Sequence, residues 1–518
     1  MANPSWTEEV DKAISDFVDP IATDVSEIVF YEVHLFGHNF PWIVAWLVVA
    51  GAVFSTYFGF AQLRHLGVAL KLVRGKYDQK DAPGEVSHFQ ALTSAVSGTV
   101  GLGNIAGVAI AVTLGGPGAT FWMILCGLLG MATKFVECTL GVKYRDVHPD
   151  GTVSGGPMHY LRKGMAEIGQ RHLGTVLAAG SAISLLFFTF FGGNLFQVNQ
   201  SLEQLQSVTG DEDSFFSSSG GALFFGVLIA VVVGLVLLGG MRSIGAVTSR
   251  LVPSMAIIYV LACLTVILGN ITEVGTAVGA IIEGAFSPEG VFGGLVGAII
   301  QGFRRATFSN EAGIGSAPIA HSAVKTKRPA TEGLVAMIEP FVDTVVICTM
   351  TALTIVIASP ASFEAAREAA AGGAAPESGV ALTSDAFETV IPWFPYVLTL
   401  AVLLFAISTI ITWGYYGMKA WTFLFGRTRT SETLYKILFC LIVITGAVMS
   451  LGSLVTLGDS FLFLAAVFNI VGLYFLAPLV KRELTKVLDY VRRRDAGETD
   501  EQIDASEAAA PAGAAKTL

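Results

Sequence analysis

Hydrophobic residues are grouped along the chain in long runs that short polar connections separate. A helix that crosses a bilayer needs about 20 mostly apolar residues, and eleven segments of the chain are of this kind. They cover residues 41–62, 91–114, 119–142, 174–200, 221–240, 251–269, 293–322, 333–358, 392–425, 433–452 and 456–480. Glycine-rich or polar positions interrupt the second, seventh and ninth segments. The pattern predicts an all-α polytopic membrane protein with about 11 transmembrane helices.

The composition supports this prediction and excludes other classes of protein. Of 518 residues, 53% are hydrophobic and only 14% are charged, whereas soluble domains carry about 25% charged residues. The chain also has 57 glycines and 35 phenylalanines, which suit packed membrane helices. The net charge of −10 argues against a nucleic-acid partner, because phosphate backbones attract basic surfaces. The lipid bilayer is therefore the expected partner, and the sequence indicates no obligate protein partner.

The connections between the predicted spans alternate in charge. Basic residues are concentrated within 64–80, 143–171, 242–250, 325–328, 427–436 and 481–494, and acidic residues within 203–213, 273–289 and 364–388. Basic loops remain on the cytoplasmic side of a membrane. We therefore predict a multi-pass protein of the inner or plasma membrane, with its N-terminus outside and its C-terminus in the cytoplasm. An odd number of spans agrees with this orientation.

Three segments lie outside the predicted spans. Residues 1–40 are acidic and amphipathic, and are expected to form an external segment of one or two helices. The long external loop 359–391 has room for a short helix. Residues 495–518 are rich in alanine and acids without a periodic apolar face, which predicts a disordered cytoplasmic tail.

Two of the predicted spans contain residues that are unfavourable in a continuous helix. Residues 94–107 include four glycines and an asparagine, and residues 305–318 are a polar stretch punctuated by glycines. The two spans are five helices apart, so they cross the membrane in opposite directions. Corresponding breaks in two inverted halves are typical of secondary transporters. The halves are predicted at 91–269 and 293–480, after an extra helix at 41–62. Taken singly, either glycine-rich span is also explained by close helix packing.

A break of this kind has specific chemistry. Unwinding a helix in lipid exposes amide and carbonyl groups that then need partners. Exposed amides at the N-terminus of a half-helix suit a carboxylate, while exposed carbonyls suit a small cation. Glycine lets a ligand approach the backbone closely. One break is thus able to bind an amino-acid carboxylate together with Na+.

Several motifs resemble known transporters. Val100-Gly101-Leu102-Gly103-Asn104 resembles the broken first core helix of LeuT-type sodium symporters. Four longer stretches are similar to the alanine or glycine:cation symporter family, namely Gly98 to Gly107, Met131-Ala132-Thr133-Lys134-Phe135 with Glu137, Gly155-Gly156-Pro157-Met158, and Ser309 to Lys325 leading into Glu332-Gly333. The resemblance covers roughly residues 40–480. It implies a LeuT-type core of five plus five inverted helices with one extra N-terminal span, and sodium-coupled uptake of small amino acids such as alanine or glycine.

The substrate carboxylate is expected at the first break. The half-helix argument places it against backbone amides around Gly101, Gly103 and Asn104, with Thr99 beside them. The family resemblance implies the same location.

The substrate ammonium group needs acceptors, which two regions offer. One is the set of carbonyls of the second break, near Gly302 to Thr307; the other is the pair of amides Asn194 and Gln197, three residues apart on one helix face. The amides could instead bind each other or backbone carbonyls. The candidate pocket walls are Phe303, Phe308 and Trp413.

Hydroxyl groups in the ninth span are candidates for binding the cation. Ser408 and Thr412 lie four residues apart on one helix face, with Thr409 next to them. Similar LeuT-type symporters place such hydroxyls against carbonyls of the first break, which here implies the carbonyls of Ser97 and Val100. Serine and threonine in membrane helices also often bond the preceding turn of their own helix.

Other polar residues leave the coupling ion open. The second sodium position of LeuT-type proteins implies Asn104 and Thr307, although Asn104 is also a candidate for the substrate. Glu339 and Asp343 lie four residues apart, and their carboxyl groups are candidates for proton coupling. Glu137 resembles a structural partner of the second break.

The predicted function is a symporter rather than an enzyme. The sequence contains no GxxxxGK[ST] motif for nucleotides and no HExxH motif for zinc, which disfavours an ATP-driven pump and an intramembrane enzyme. A channel also uses glycine-rich pore segments, but it does not need an amide-rich pocket. The sequence therefore predicts a Na+-coupled amino-acid symporter, with proton coupling as the alternative and a channel as a weaker one.

Overall fold

The structure is a computed structural model of the chain. It describes residues 6–509 apart from 36–37, 80, 211–212, 288–293, 372–378 and 450–451. These described residues are mainly helical, with two small hairpins, in keeping with the long apolar segments of the chain.

The helices follow one another with few extended residues between them. In chain order they are α1 (Trp6–Val29), α2 (Trp42–Tyr57), α3 (Ala61–Arg64), α4 (Leu66–Val73), α5 (His88–Thr99), α6 (Ala106–Leu114), α7 (Ala119–Lys143), α8 (Pro157–Glu167), α9 (Arg171–Phe190), α10 (Phe196–Thr209), α11 (Ser219–Leu238), α12 (Gly240–Gly269), α13 (Val274–Phe286), α14 (Gly294–Asn310), α15 (Ala317–His321), α16 (Pro329–Ala336), α17 (Ile338–Pro340), α18 (Thr349–Ala358), α19 (Ala361–Ala371), α20 (Gly379–Glu388), α21 (Phe394–Phe425), α22 (Arg429–Gly446), α23 (Gly452–Asp495) and α24 (Asp500–Ala509).

Shorter elements join or interrupt these helices. π-helical turns at Phe191–Leu195 and Phe341–Cys348 connect α9 to α10 and α17 to α18. Turns of 3-10 helix occur at Leu102–Asn104, Phe215–Ser217 and Ile271–Glu273. Two antiparallel hairpins pair β1 (Glu32–Leu35) with β2 (His38–Pro41), and β3 (Asp146–Val147) with β4 (Val153–Ser154).

Helices occupy all eleven segments that the hydrophobic pattern singles out. By length and hydropathy, seven helical stretches of the described residues could cross a membrane, or eight if α5 and α6 are one bent span. Helices α2 and α14 are shorter, with 16 and 17 residues. The count of eleven spans stays a prediction. The ninth segment contains no break, because α21 is continuous from Phe394 to Phe425.

Helix α7 lies at the centre of the molecule and packs against α2, α14, α15 and α16. Small residues allow these close approaches. A Cβ atom on Gly333 of α16 would stand 2.0 Å from Thr139 Oγ1, and one on Gly141 of α7 would stand 2.8 Å from Pro318 Cβ. The packing carries the charged residues of α7, Lys134 and Glu137, into the buried centre.

The N-terminal segment and the long loop 359–391 both contain helices. Residues 6–29 form α1, which packs against α23, in line with the helix expected within residues 1–40. The loop 359–391 contains two helices, α19 and α20, rather than one. Thr383 of α20 donates a hydrogen bond to the carbonyl of Ile105 at 3.2 Å, so this loop covers the start of α6.

The prediction of a disordered tail is wrong for residues 500–509, which form α24. Its side chains find partners that lie far away in the sequence. Arg328 donates to Asp504 at 2.8 Å and to Glu507 at 2.9 Å, and Ile503 is fully buried. An alanine-rich segment thus folds because it docks on a basic loop. Residues 510–518 lie outside the described part of the chain.

A short backbone bridge joins the start of α5 to the end of α15. The amide of Glu85 donates to Ala323 O at 2.7 Å, and the amide of Lys325 donates to Val86 O at 2.8 Å. Val86 and Val324 form a parallel β-bridge between them. The Arg145 guanidinium donates to four carbonyls around this bridge, at 2.6 to 2.8 Å, namely those of Pro83, Ser322, Val324 and Thr326.

Candidate functional site

The first predicted break is present at the predicted residues. Helix α5 ends at Thr99, a 3-10 turn follows, and α6 begins at Ala106 with its axis bent by 60° from that of α5. The amide of Gly101 donates to Asn104 Oδ1 at 2.8 Å, which closes the turn. A Cβ atom on Gly101 would lie 2.8 Å from Thr409 Oγ1. Glycine is needed here because α21 approaches the backbone so closely.

The second break lies within the predicted stretch 305–318 but is shorter than that stretch. Helix α14 continues through Gly302 and Thr307 to Asn310, and α15 begins at Ala317. Between them Glu311, Gly313 and Gly315 have positive φ angles of 53°, 93° and 89°. The expectation of free carbonyls near Gly302 to Thr307 is therefore wrong, because those residues belong to a regular helix. The unwound residues are 311–316.

A buried cavity lies at the first break. Five residues predicted to bind ligands and two predicted walls line it, namely Thr99, Gly101, Gly103, Gln197, Thr409, Phe308 and Trp413. Four further residues complete the lining: Gly98, Phe188, Gly192 and Glu311. The cavity thus joins an unwound backbone to neutral polar side chains, a carboxylate and aromatic walls.

Three aromatic residues limit the size of the cavity. The rings of Phe188 and Trp413 meet edge to face with their centroids 4.5 Å apart, and Phe188 also meets Phe308 at 6.3 Å. Trp413 Nε1 donates to the carbonyl of Gly98 at 3.3 Å, which fixes its ring beside the end of α5. Among these residues, sequence reasoning missed Phe188. It lies in an apolar aromatic run on α9 that packing alone would explain.

The hydroxyl groups predicted for the cation lie against α5. Thr409 Oγ1 donates to Ser97 O at 3.1 Å, and Thr412 Oγ1 donates to Ser97 Oγ at 3.1 Å. Ser97 Oγ in turn donates to Ser408 O at 2.9 Å, while Ser408 Oγ bonds Phe405 O of its own helix. Val100 is buried at the end of α5. The structure therefore brings Ser97, Thr409 and Thr412 together, whereas the Ser408 hydroxyl bonds its own helix.

Asn104 is not among the residues lining the cavity. Its side chain belongs to a polar cluster next to the first break. Its side-chain amide donates to Asp343 Oδ1 at 2.7 Å and to Ser309 Oγ at 2.9 Å. Asp343 also accepts hydrogen bonds from Ser309 at 2.8 Å and from Thr344 at 2.7 Å. All four residues are buried. The cluster joins the first break to the helices that follow the second.

The two amides on the fourth predicted span have different surroundings. Gln197 lines the cavity, and its Nε2 donates to Gly192 O at 3.3 Å. Asn194 is buried and donates to Phe439 O of α22 at 3.3 Å. Asn194 is not among the residues lining the cavity.

Three residues predicted for the substrate lie elsewhere in the core. Phe303 meets Trp122 of α7 with ring centroids 6.2 Å apart, and Thr307 Oγ1 is 3.7 Å from Cys126 Sγ. Gly302 faces α7 so closely that a Cβ there would stand 2.6 Å from Ala119 O. Helix α14 thus turns these three residues towards α7 and away from the cavity.

Several buried charges form pairs around the second break. Lys134 donates to Glu339 at 3.0 Å. Glu332 binds His321 at 2.5 Å and also contacts His88. Glu339 is therefore held in a salt bridge with Lys134.

Glu137 is tied to the second break, as predicted, and Asn469 takes part in this link. Asn469 donates to Glu137 Oε1 at 2.5 Å and to the carbonyl of Gly313 at 2.9 Å. Tyr160 donates to Asn469 Oδ1 at 2.5 Å. The asparagine therefore links the carboxylate to the unwound residues of the break.

Comparison with known proteins agrees with this architecture. The model of the sodium:alanine symporter family matches residues 23–505. The sodium/alanine symporter AgcS of Methanococcus maripaludis is 38% identical over 457 residues, covering 88% of this chain and 96% of that protein. The amino-acid carrier protein AlsT of Bacillus subtilis is 32% identical, covering 87% of this chain and 90% of its own length.

Among solved structures, the LeuT-fold protein MhsT in complex with L-phenylalanine is similar in fold, with a TM-score of 0.51 and 15% identity. The match covers 77% of this chain and 98% of that one. The broken helices, the cavity between them and these matches along almost the whole sequence lead to one conclusion: the chain belongs to the sodium:alanine symporter family.

Proposed function

We propose that this protein imports small neutral amino acids, alanine or glycine, together with Na+ by alternating access. The observation that carries the proposal is the buried cavity at the break between α5 and α6, where backbone glycines meet neutral polar side chains. The protein acts in the inner or plasma membrane, with its N-terminus outside and its C-terminus in the cytoplasm. Residues 91–269 and 293–480 form the inverted halves, and 41–62 is the extra span.

The substrate carboxylate binds the unwound backbone around Gly101 and Gly103, beside Thr99. The start of α6 adds the positive end of a helix dipole there. Asn104 contributes indirectly, because it holds the amide of Gly101. The ammonium group faces the Gln197 side chain. Aromatic walls close the cavity around a small side chain, which supports alanine or glycine as the substrate.

The co-transported Na+ binds between α5 and α21. Its ligands are the carbonyls of Ser97 and Val100 and hydroxyls among Ser408, Thr409 and Thr412. Neutral oxygens of this kind suit a hard cation. The contact of Thr409 with Ser97 O at 3.1 Å supports this choice, since the same groups face one another at the break.

A second cation position involves Asn104 and, beside it, Asp343. Asp343 accepts hydrogen bonds from neutral donors, whereas Glu339 is paired with Lys134. Of the two carboxyl groups considered for proton coupling, this arrangement favours Asp343 over Glu339. Proton-coupled symport through Asp343 is therefore the second candidate function. Thr307 is a weaker member of either position, because it faces α7.

Reconstitution into proteoliposomes tests the proposal. We expect an inward Na+ gradient at fixed pH to drive concentrative uptake of labelled alanine, and counterflow of alanine to distinguish a carrier from a channel. Replacing both hydroxyls in Ser408→Ala with Thr409→Val should raise the Na+ concentration for half-maximal uptake at least tenfold. The matched control is Thr422→Val on the same helix, because the Thr422 hydroxyl bonds only the nearby Lys419 carbonyl at 3.2 Å among the described contacts.

The opposite result would identify the proton as the coupling ion. Uptake that follows a pH gradient without Na+, and that Asp343→Asn abolishes, contradicts the sodium proposal. Uptake that shows no counterflow contradicts a carrier of either kind.

A further inference from the structure

Glu311 occupies an unusual backbone position in the second break. Its φ angle is 53°, in the left-handed region that favours glycine. Its amide still donates to Thr307 O at 2.9 Å, so Glu311 ends the hydrogen-bond ladder of α14 and turns the chain. A non-glycine residue held in this strained conformation points to a role for its side chain.

Glu311 is a buried residue of the cavity lining. The residue is only 3% exposed and lines the cavity with Gly101, Gly103 and Gln197. Its carboxylate accepts a hydrogen bond from Ser316 Oγ at 2.5 Å. Within the described ranges no Lys, Arg or His forms a salt bridge with Glu311. The charge of Lys134 acts on Glu311, but Lys134 is paired with Glu339 at 3.0 Å. A buried carboxylate without a salt-bridge partner of its own is unfavourable, so a cationic ligand group would stabilise it.

Gln197 provides an independent indication of a ligand at the same place. It is 5% exposed, and its Oε1 is buried with no hydrogen-bond partner among the described residues. The same oxygen lies 3.7 Å from the position that a Cβ on Gly101 would take. A buried carbonyl oxygen that lacks a donor requires one. The cavity therefore presents two acceptors, one neutral and one acidic, close to the unwound backbone.

We propose that the Glu311 carboxylate, together with Gln197 Oε1, receives the α-ammonium group of the substrate. This inference rests on the proposed function and specifies its substrate class. An amino acid that places its carboxylate on the first break presents its ammonium to these two acceptors, and so neutralises Glu311. A 2-hydroxy acid brings the same carboxylate without a positive charge, and leaves Glu311 unpaired beside it. Glu311 thereby makes the site selective for α-amino acids over α-hydroxy acids.

Glu311→Gln tests this role, because glutamine keeps the shape of the side chain and can still accept from Ser316. Purified protein is titrated with L-alanine, and L-lactate serves as the competitor. The variant should bind alanine at least tenfold more weakly than the wild type. Its preference for alanine over lactate, expressed as the ratio of the two Kd values, should fall by at least tenfold.

Two control variants show whether a change in the alanine-to-lactate ratio is specific to the charge of Glu311. Glu137→Gln makes the same chemical change in another buried carboxylate, one that binds Asn469 and is not among the residues lining the cavity. Ser316→Ala removes the hydrogen bond to Glu311 but keeps its charge. Both should keep the alanine-to-lactate ratio within threefold of the wild type.

The inference is overturned if folded Glu311→Gln retains the wild-type ratio, or if Glu137→Gln changes it equally. If Glu311→Gln does not fold, Glu311→Asp is tested instead, because it keeps the charge on a shorter side chain. Alanine should raise its melting temperature and lactate should not; equal stabilisation by both contradicts the role. A wild-type protein that neither binds nor transports alanine contradicts the proposed function instead, which is a distinguishable result.

Discussion

The side chains of Asn194 and Gln197 show how a local irregularity decides which residue reaches a site. In a regular α-helix, residues three apart share one face, and on that basis both amides are expected in one pocket. Asn194 lies within the π-helical turn Phe191–Leu195, and such a turn holds an extra residue and rotates the helix face that follows it. Gln197 consequently reaches the cavity, while Asn194 bonds α22.

We therefore expect different effects from two matched truncations. Gln197→Ala should weaken alanine binding at least tenfold, because it removes an acceptor for the ammonium group worth about 1–3 kcal/mol. Asn194→Ala should lower the melting temperature but leave the Kd for alanine within threefold. Titration calorimetry and thermal unfolding of both proteins in detergent measure these effects. Loss of alanine affinity in Asn194→Ala, with Gln197→Ala unaffected, would show that the assignment is reversed.

At the level of the helices, the two breaks differ in how readily the sequence predicts them. The first follows from glycines and an asparagine in close succession, and its location is confirmed at 100–105. The second is shorter than the polar stretch 305–318 because α14 keeps polar residues in regular helix up to Asn310. Those residues have partners that are distant in sequence: Arg304 pairs with Asp459 at 3.3 Å, and Ser309 bonds Asp343 at 2.8 Å. Polarity within a membrane helix thus indicates a buried partner as well as an unwound segment.

The tail and the cavity illustrate the same limit of sequence reasoning. Helix α24 depends on Arg328, which is 172 residues before the start of α24 at Asp500 in the printed numbering. Glu311 is recognisable from the sequence as an intramembrane charge, but its direction depends on a left-handed backbone. Hydrophobic patterns predict which residues form helices, whereas contacts between distant residues decide which side chains meet.

The first break offers a test of the need for glycine in this element. Gly101→Ala should reduce alanine uptake at least tenfold, because the added Cβ would stand 2.8 Å from Thr409 Oγ1 and displace α21 from the break. Gly107→Ala is the matched control on α6, where the nearest atom beyond the local helix is Arg305 Cδ at 4.0 Å. Uptake by reconstituted protein is measured for both. Wild-type uptake by Gly101→Ala would contradict close contact between α21 and this backbone during transport.

At the scale of the whole molecule, the bridge between residues 85–86 and 323–325 ties the ends of the two broken helices together. Arg145 strengthens it through four carbonyl contacts. The predicted orientation places this bridge on the cytoplasmic side, since residues 64–80 and 325–328 carry the basic charge. Release of substrate into the cytoplasm would then require α5 and α15 to separate at this point. Under the proposed alternating access, we therefore expect this bridge to break and re-form in each cycle.

A reversible cross-link across the bridge should therefore stop transport. Val86 and Val324 are paired in a parallel β-bridge, a geometry in which neighbouring strands lie about 4.8 Å apart. Disulfides join residues whose Cα atoms are about 4.4–6.8 Å apart, so Val86→Cys with Val324→Cys should cross-link on oxidation. Alanine uptake should fall at least tenfold and return after reduction, while each single variant should be insensitive to the oxidant. Mass spectrometry establishes that the cross-link has formed. Full uptake by cross-linked protein would mean that these two ends remain together throughout the cycle, and that the substrate leaves by another path.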